Sequence, residues 1–128
     1  MEKYFLILTE EGKLILLTKN YTYQDTIDYI VMEFKKDYDV SSPVVDNVVS
    51  NSYENLLLFK TDFLRAFRNK KLKESDSLWI EALSKKKGLD EVENYKQQLR
   101  DLPQTLNVEN MTLEEISNAV KSIQAPVI

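Results

Sequence analysis

A basic and an acidic side chain, Arg100 and Asp101, stand at the end of an amphipathic segment, and they are the first candidates for specific chemistry. Arg100 could hold a carboxylate or a backbone carbonyl of a partner, while Asp101 fixes the turn before Pro103. Alternatively, Arg100 binds the last carbonyls of its own helix or pairs with Asp76 across a helix contact. The sequence leaves both interpretations open.

Catalytic chemistry has little support, because the 128 residues include neither cysteine nor histidine. Their absence removes thiolate nucleophiles, the usual general base and the commonest zinc ligands. We find no acidic calcium-binding loop and no sign of paired carboxylates across a cleft. We therefore expect a protein that is not an enzyme and has no metal or cofactor. The acidic residues of the first part are expected to face solvent: Glu10, Glu11, Asp25, Asp28, Glu33, Asp37 and Asp39.

Two basic stretches, residues 65–73 and 85–87, stand out in a chain of net charge −4. Nucleic-acid binding is not expected, since phosphate neutralisation needs a concentrated basic surface. RNA binding at the first stretch would also need exposed rings for stacking. Phe63 and Phe67 lie on the apolar side of a predicted helix and are expected to be buried. The three lysines before Gly88 suit a helix C-terminus.

The only tryptophan, Trp79, has two interpretations. An exposed tryptophan is a common anchor of protein interfaces. A tryptophan beside Ile80 and Leu83 can equally belong to a hydrophobic core.

The first part of the chain predicts a small ββαβ-like lobe over residues 1–52. Residues 4–8 and 13–18 have the length and apolar content of two strands, and Gly12 supplies the turn of a hairpin. Residues 22–38 predict a helix, and residues 44–49 are β-branched and predict a third strand. The helix prediction depends on an apolar stripe formed by Ile27, Ile30, Val31, Phe34 and Tyr38.

The second part predicts a helical lobe over residues 53–124. Residues 53–60 fit either a buried strand or the start of a long helix, and leucine content favours the helix. Ser75, Asp76 or Ser77 is expected to cap a new helix that stops at Gly88.

Two further helices complete this lobe. One is expected over residues 90–102, because Pro103 disfavours helix at the preceding residue. The last begins at Thr112, where a capping box with Glu115 is predicted. Residues 107–110 are expected to be a mobile joint and residues 125–128 a free tail.

The order of several motifs resembles a known family. Arg68-Asn69, Ser75-Asp76 and Trp79 are followed by a segment that contains Tyr95, Leu99, Arg100, Asp101, Leu102 and Pro103. Over residues 61–106 this pattern resembles the tail assembly chaperone-like domain of tailed bacteriophages. Three departures are that Trp79 lies three residues beyond Asp76, that Lys96 replaces an arginine and that the family's closing Trp-Pro is absent.

The resemblance implies a non-enzymatic accessory protein that binds a phage tail or tail-fibre polypeptide. The alternatives are a structural virion protein of the tail apparatus and a small regulator that binds RNA or a host protein. A groove between the helices is expected to bind the partner. Its candidate residues are Arg68, Trp79, Tyr95, Leu99, Arg100 and Asp101.

No apolar run approaches the ~20 residues of a membrane helix, and the hydrophobic stretch at the N-terminus is too short for a signal peptide. The expected location is the host cytoplasm or the virion, and no membrane partner is expected.

Overall fold

The computed structural model describes residues 4–18, 29–33 and 57–128. It has an α+β fold, in which a small antiparallel sheet precedes three helices. The strands have the spatial order β2-β1-β3. The elements are β1 (Phe5–Thr9), β2 (Leu14–Thr18), β3 (Tyr29–Glu33), α1 (Leu57–Lys85), α2 (Leu89–Thr105), a 3₁₀ turn (Val108–Asn110) and α3 (Leu113–Lys121).

The predicted N-terminal hairpin is confirmed. β1 and β2 pair in antiparallel fashion, and the backbone N–H of Gly12 donates to the carbonyl of Thr9 at 2.9 Å. Leu6 and Leu8 alternate toward the helices and are fully buried. The alternation expected of a strand with one covered face is therefore present in β1.

The predicted helix over residues 22–38 is wrong at residues 29–33, which form strand β3 instead. Ile30 and Met32 are buried, and they lie opposite Leu8 and Leu6 of β1. The same residues fit both a helical and a strand period, and pairing with β1 decides between them. The predicted ββαβ order is thus unsupported. The rest of this helix and the predicted strand over residues 44–49 lie outside the described residues.

Helix α1 begins at Leu57, so the helical interpretation of residues 57–60 is confirmed. The predicted break at residues 75–77 is wrong, because α1 continues through them. The Ser75 hydroxyl donates to the carbonyl of Leu72 at 2.5 Å, and the Ser77 hydroxyl donates to that of Glu74 at 2.9 Å. Because α1 is continuous through both serines, no new helix begins there for them to cap.

The prediction that a helix stops at Gly88 is wrong by three residues, because α1 ends at Lys85. Lys86 has a φ of 55°, and its N–H donates to the carbonyl of Leu83. The N–H of Lys87 donates to that of Ala82. These bonds form a Schellman motif, with a lysine where glycine is usual.

Helix α2 passes the expected end at Leu102 and includes Pro103. Proline removes one N–H, but it lies in the last turn, and the N–H of Leu106 still bonds to the carbonyl of Leu102 at 3.0 Å. One lost donor near a helix end is not enough to stop the helix at the preceding residue.

The capping box of α3 is confirmed. The N–H of Glu115 donates to Oγ1 of Thr112 at 3.1 Å, and the N–H of Thr112 donates to Oε1 of Glu115 at 3.0 Å. The joint before it contains a 3₁₀ turn, Val108–Asn110, whose Val108 is buried. In the segment predicted as a free tail, Val127 is fully exposed and the side chain of Ile128 lies against Gly88.

One hydrophobic core joins the sheet to the helices, so the two predicted lobes pack together. Phe63 and Phe67 of α1 lie at its centre in an edge-to-face arrangement with centroids 6.2 Å apart. Its other members are Leu6, Leu8, Ile30, Met32, Phe59, Leu64, Tyr95, Leu99, Leu102, Val108, Leu113, Ile116 and Val120. No helix of the described ranges is long and apolar enough to cross a membrane.

The turn between β1 and β2 is held from two sides. On one side, Nζ of Lys70 in α1 lies 3.4 Å from Oε1 of Glu10. On the other, the Ser117 hydroxyl of α3 donates to the backbone carbonyl of Glu10, and Nζ of Lys121 lies 3.1 Å from Oε1 of Glu11. The bond from Lys121 is the main reason that the pKa of Glu11 is lowered.

Gly12 of this turn has no room for a side chain. A Cβ there would lie 2.6 Å from Cβ of Leu113, at a φ of +90° that other residues rarely adopt. The close approach of the turn to α3 therefore requires glycine at this position.

We predict that Gly12→Ala lowers the free energy of unfolding by roughly 2–4 kcal/mol, from steric overlap together with backbone strain. Gly88→Ala is the matched control, because Gly88 also has a positive φ but meets only the Ile128 side chain, at 3.2 Å. Its expected loss is about 1–2 kcal/mol. Urea unfolding followed by circular dichroism measures both, and equal losses would argue against a tight contact with Leu113.

Candidate functional site

The site is built at the hairpin formed by α1 and α2. The two helices are joined by only residues 86–88, so α2 turns back along the second half of α1. This geometry brings Lys96 of α2 to Asp76 and Trp79 of α1. Nζ of Lys96 lies 2.9 Å from Oδ1 of Asp76 and 5.7 Å from the centroid of the Trp79 ring.

Beside this cluster, α1 exposes large apolar side chains. Ile80 is 63% exposed, Leu83 is 52% exposed and Trp79 is half-buried. We call Trp79, Ile80 and Leu83 the apolar stripe. Trp79 is therefore neither a fully buried core residue nor a fully exposed interface anchor. Its ring lies beside Lys96, while Ile80 and Leu83 next to it face solvent. An exposed cluster of this kind on a helix surface is typical of an interaction site.

Tyr95 and Leu99 belong to the core instead of to an open groove. Tyr95 is 6% exposed and Leu99 is fully buried. Burial, with a smaller contribution from the charge of Glu74, raises the pKa of Tyr95. The space predicted as a groove between these side chains is therefore filled by the chain itself, and neither residue can contact a partner in this conformation.

Arg100 and Asp101 lie at the surface of α2 and interact within it. One guanidinium nitrogen of Arg100 lies 3.0 Å from Oε1 of Glu93. The amide of Gln97 donates to Oδ1 of Asp101 at 2.9 Å. The predicted pair of Arg100 with Asp76 does not form, because Lys96 occupies that carboxylate.

Arg68 lies on another part of α1, away from this cluster in sequence and structure. Its guanidinium donates two hydrogen bonds to Oδ1 of Asn69, at 3.0 and 3.2 Å. Burial and the neighbouring charge of Arg65 lower the pKa of Arg68. The six predicted residues therefore do not form one surface: two are core, and Arg68 is separate from the others.

The basic stretch around Arg68 is partly neutralised by carboxylates. Lys70 and Lys71 each lie within 4.0 Å of both Glu10 and Glu74. The rings of Phe63 and Phe67, which RNA stacking would require, are fully buried as predicted. This part of α1 thus serves mainly to hold the β1–β2 turn.

A concave region lies between β3 and α1. It has a volume of about 350 Å³ and opens widely to solvent. Its lining combines Val31, Met32, Glu33, Asp62, Arg65, Ala66 and Asn69. The polar side chains carry both signs of charge, which gives no clear preference for one ligand.

Metal chemistry finds no support in the ranges that the structure describes, where no three acidic side chains cluster as ligands. The arrangement at the α1–α2 hairpin combines exposed apolar side chains with an ion pair, which suits the binding of a polypeptide by apolar contact and charge.

Comparison with known proteins gives no match to a family model, to a curated protein or to a solved structure.

Sequence reasoning missed Lys96, Ile80 and Leu83 as members of the site. Lys96 and Asp76 are twenty residues apart in sequence and approach each other only because α2 runs back along α1. The sequence alone therefore did not indicate this contact. The sequence treats Ile80 and Leu83 only as neighbours of Trp79 that would place it in a hydrophobic core. Ser75 and Ala82 are buried and define the inner face of this part of α1. These two small residues were the signal in the sequence by which the inner face could have been identified.

We predict that Tyr95 ionises at a higher pH than an exposed tyrosine in an alkaline titration followed by absorbance near 295 nm. Because its pKa is raised in the folded state, its contribution to stability is present below its unfolded pKa and is lost as pH rises through the folded value. Tyr95→Phe should remove the component that ionises at higher pH and reduce the alkaline loss of stability. Tyr29→Phe, at a residue 38% exposed, is the control and should leave the component that ionises at higher pH in place. Ordinary ionisation of Tyr95 in the native protein would contradict its burial.

Proposed function

We propose that this protein is a non-enzymatic accessory of bacteriophage tail assembly, and that it binds a tail or tail-fibre polypeptide at the α1–α2 hairpin. The observation that carries the proposal is the solvent exposure of Ile80 and Leu83 beside a half-buried Trp79. A polypeptide that covers these side chains would remove their apolar surface from contact with water, which favours binding.

The resemblance to the tail assembly chaperone-like family supports the identity of the partner. Asp76 and Trp79 of the resembling segment lie three residues apart on α1, and both meet Lys96 of α2, which stands where the family has an arginine. The Arg-Asp pair of the motif lies on the same helix α2. The part of the resembling segment that contains Asp76, Trp79 and Lys96 therefore lies next to the exposed side chains of Ile80 and Leu83.

The physical mechanism of the proposal is transient burial of apolar surface. Three apolar side chains give a small contact area, and small interfaces are typical of short-lived complexes. A protein that releases its client after assembly needs such a contact. The proposed location is the host cytoplasm during assembly, and a protein retained in the tail would act as a structural component of the virion.

The RNA-binding alternative receives less support from the described residues. Glu10 and Glu74 neutralise much of the charge of Lys70 and Lys71, and the neighbouring phenylalanine rings are buried. Phosphate contacts and base stacking would both need to replace these existing interactions.

We predict that the tagged wild-type protein, purified from phage-infected cells, carries a tail or tail-fibre polypeptide that mass spectrometry identifies. Ile80→Ala should reduce the recovery of this polypeptide severalfold, because it removes apolar contact. Alanine favours helix, so the exposed substitution should leave the fold intact.

Leu57→Ala provides the matched control, since Leu57 is an exposed aliphatic residue at the other end of α1. Absence of any tail polypeptide would argue against the proposed function. Mass spectrometry of purified virions then separates the two locations: absence from virions supports an assembly accessory, and presence there supports the structural role.

A further inference from the structure

The apolar stripe is followed directly by exposed positive charge, which restricts the kind of segment that fits it. On the basis of the proposed function, we propose that the stripe of Trp79, Ile80 and Leu83 binds an amphipathic α-helix of the partner, with acidic residues of that helix over Lys86 and Lys87.

A partner segment that binds at this site has to form its backbone hydrogen bonds within itself. The stripe lies on α1, whose N–H and carbonyl groups are bonded within the helix, and α2 flanks it. Neither helix offers a free strand edge to which an extended peptide could add. A bound α-helix keeps its own hydrogen bonds and can lay an apolar stripe along the seam between two helices.

The charge at the end of the stripe distinguishes an acidic helix from a basic one. Lys85 pairs with Glu81 at 2.9 Å, and Lys96 pairs with Asp76. Within the described ranges, Lys86 and Lys87 form no ion pair, and both side chains are exposed. Carboxylates of a bound helix would therefore meet two lysines whose charge the fold leaves available.

The net charge of the chain limits how this preference can operate. A protein of charge −4 repels an acidic partner at long range, so the attraction has to come from direct contact with the two lysines. Apolar contact supplies the affinity, while the lysines set the direction and the choice of partner. The preference should consequently weaken as salt concentration rises.

A second copy of the chain fits this surface less well. Stable dimers bury roughly 800 Å² on each partner, whereas the stripe comprises two exposed side chains and one half-buried ring. The area suits a single helix of a few turns.

The test uses the full-length protein and two synthetic peptides of equal length. Both peptides carry leucines at positions i, i+3, i+4 and i+7 and lack aromatic residues, but one has glutamates on its flanks and the other has lysines. Trp79, as the only tryptophan, reports binding through its fluorescence. We expect the acidic peptide to change the emission of Trp79 saturably and to bind about tenfold more tightly than the basic one.

Three variants assign the contacts. Leu83→Glu should abolish binding of the acidic peptide, while Leu57→Glu, at an equally exposed leucine of α1, should leave it unchanged. The double variant Lys86→Glu/Lys87→Glu should reverse the preference between the two peptides. Circular dichroism establishes that each variant is folded.

The proposal is overturned if neither peptide binds at roughly millimolar concentration, if both bind equally, or if Leu57→Glu is as damaging as Leu83→Glu. It is also overturned if light scattering shows a stable dimer that Leu83→Glu dissociates, because a second copy would then cover the stripe.

Capture of the tail polypeptide separates this proposal from the proposed function. If the wild type and the Lys86→Glu/Lys87→Glu variant capture that polypeptide equally, the function stands and the acidic helix is wrong. If the acidic peptide binds as expected but no tail polypeptide is captured, the surface is correct and the proposed function is wrong.

Discussion

The β1–β2 turn at Glu10 and Gly12 is the contact on which the arrangement of the sheet and the helices depends. α1 reaches it through Lys70, and α3 reaches it through Ser117. The Lys70–Glu10 pair is partly buried, whereas the Lys121–Glu11 pair is exposed and contributes little. The tightest contact is the approach of Gly12 to Leu113, which leaves no space for a Cβ. This close contact allows Leu6 and Leu8 to enter the same core as the helices.

Filling of that core determines which surface remains for function. Tyr95 and Leu99 belong to the hydrophobic core, where they pack α2 against α1. Their side chains are therefore not available at the surface. Helix α1 continues to Lys85, and its last turns bury Ala82 on the inner face while they present Ile80 and Leu83 to solvent. The same helix therefore supports the sheet with its first half and offers a binding surface with its second.

One local signal in the sequence, the cap of α3, predicts the structure correctly, whereas the local signals at Ser75, Gly88 and Pro103 do not. The capping box of Thr112 and Glu115 needs only four residues and was predicted correctly. Residues 29–33 fit two periods, and only pairing with β1 makes them a strand. Ser75 resembles a cap until its hydroxyl is seen to bond back to Leu72. Among candidate site residues, Trp79 is half-buried and its role at an interface stays a prediction, whereas Tyr95 is buried in the core. An aromatic residue on an amphipathic helix can serve either the core or an interface, so the sequence does not decide between them.

Native-state hydrogen exchange of the wild-type protein tests the account most directly, because it asks whether sheet and helices open as one unit. If the turn at Gly12 joins them, the amides of Leu6 and Leu8 in β1 and of Ile116 and Val120 in α3 should exchange with the same free energy, close to that of global unfolding. Exchange of the β1 amides at much lower free energy, while α3 stays protected, would show that the sheet opens independently and would contradict the account.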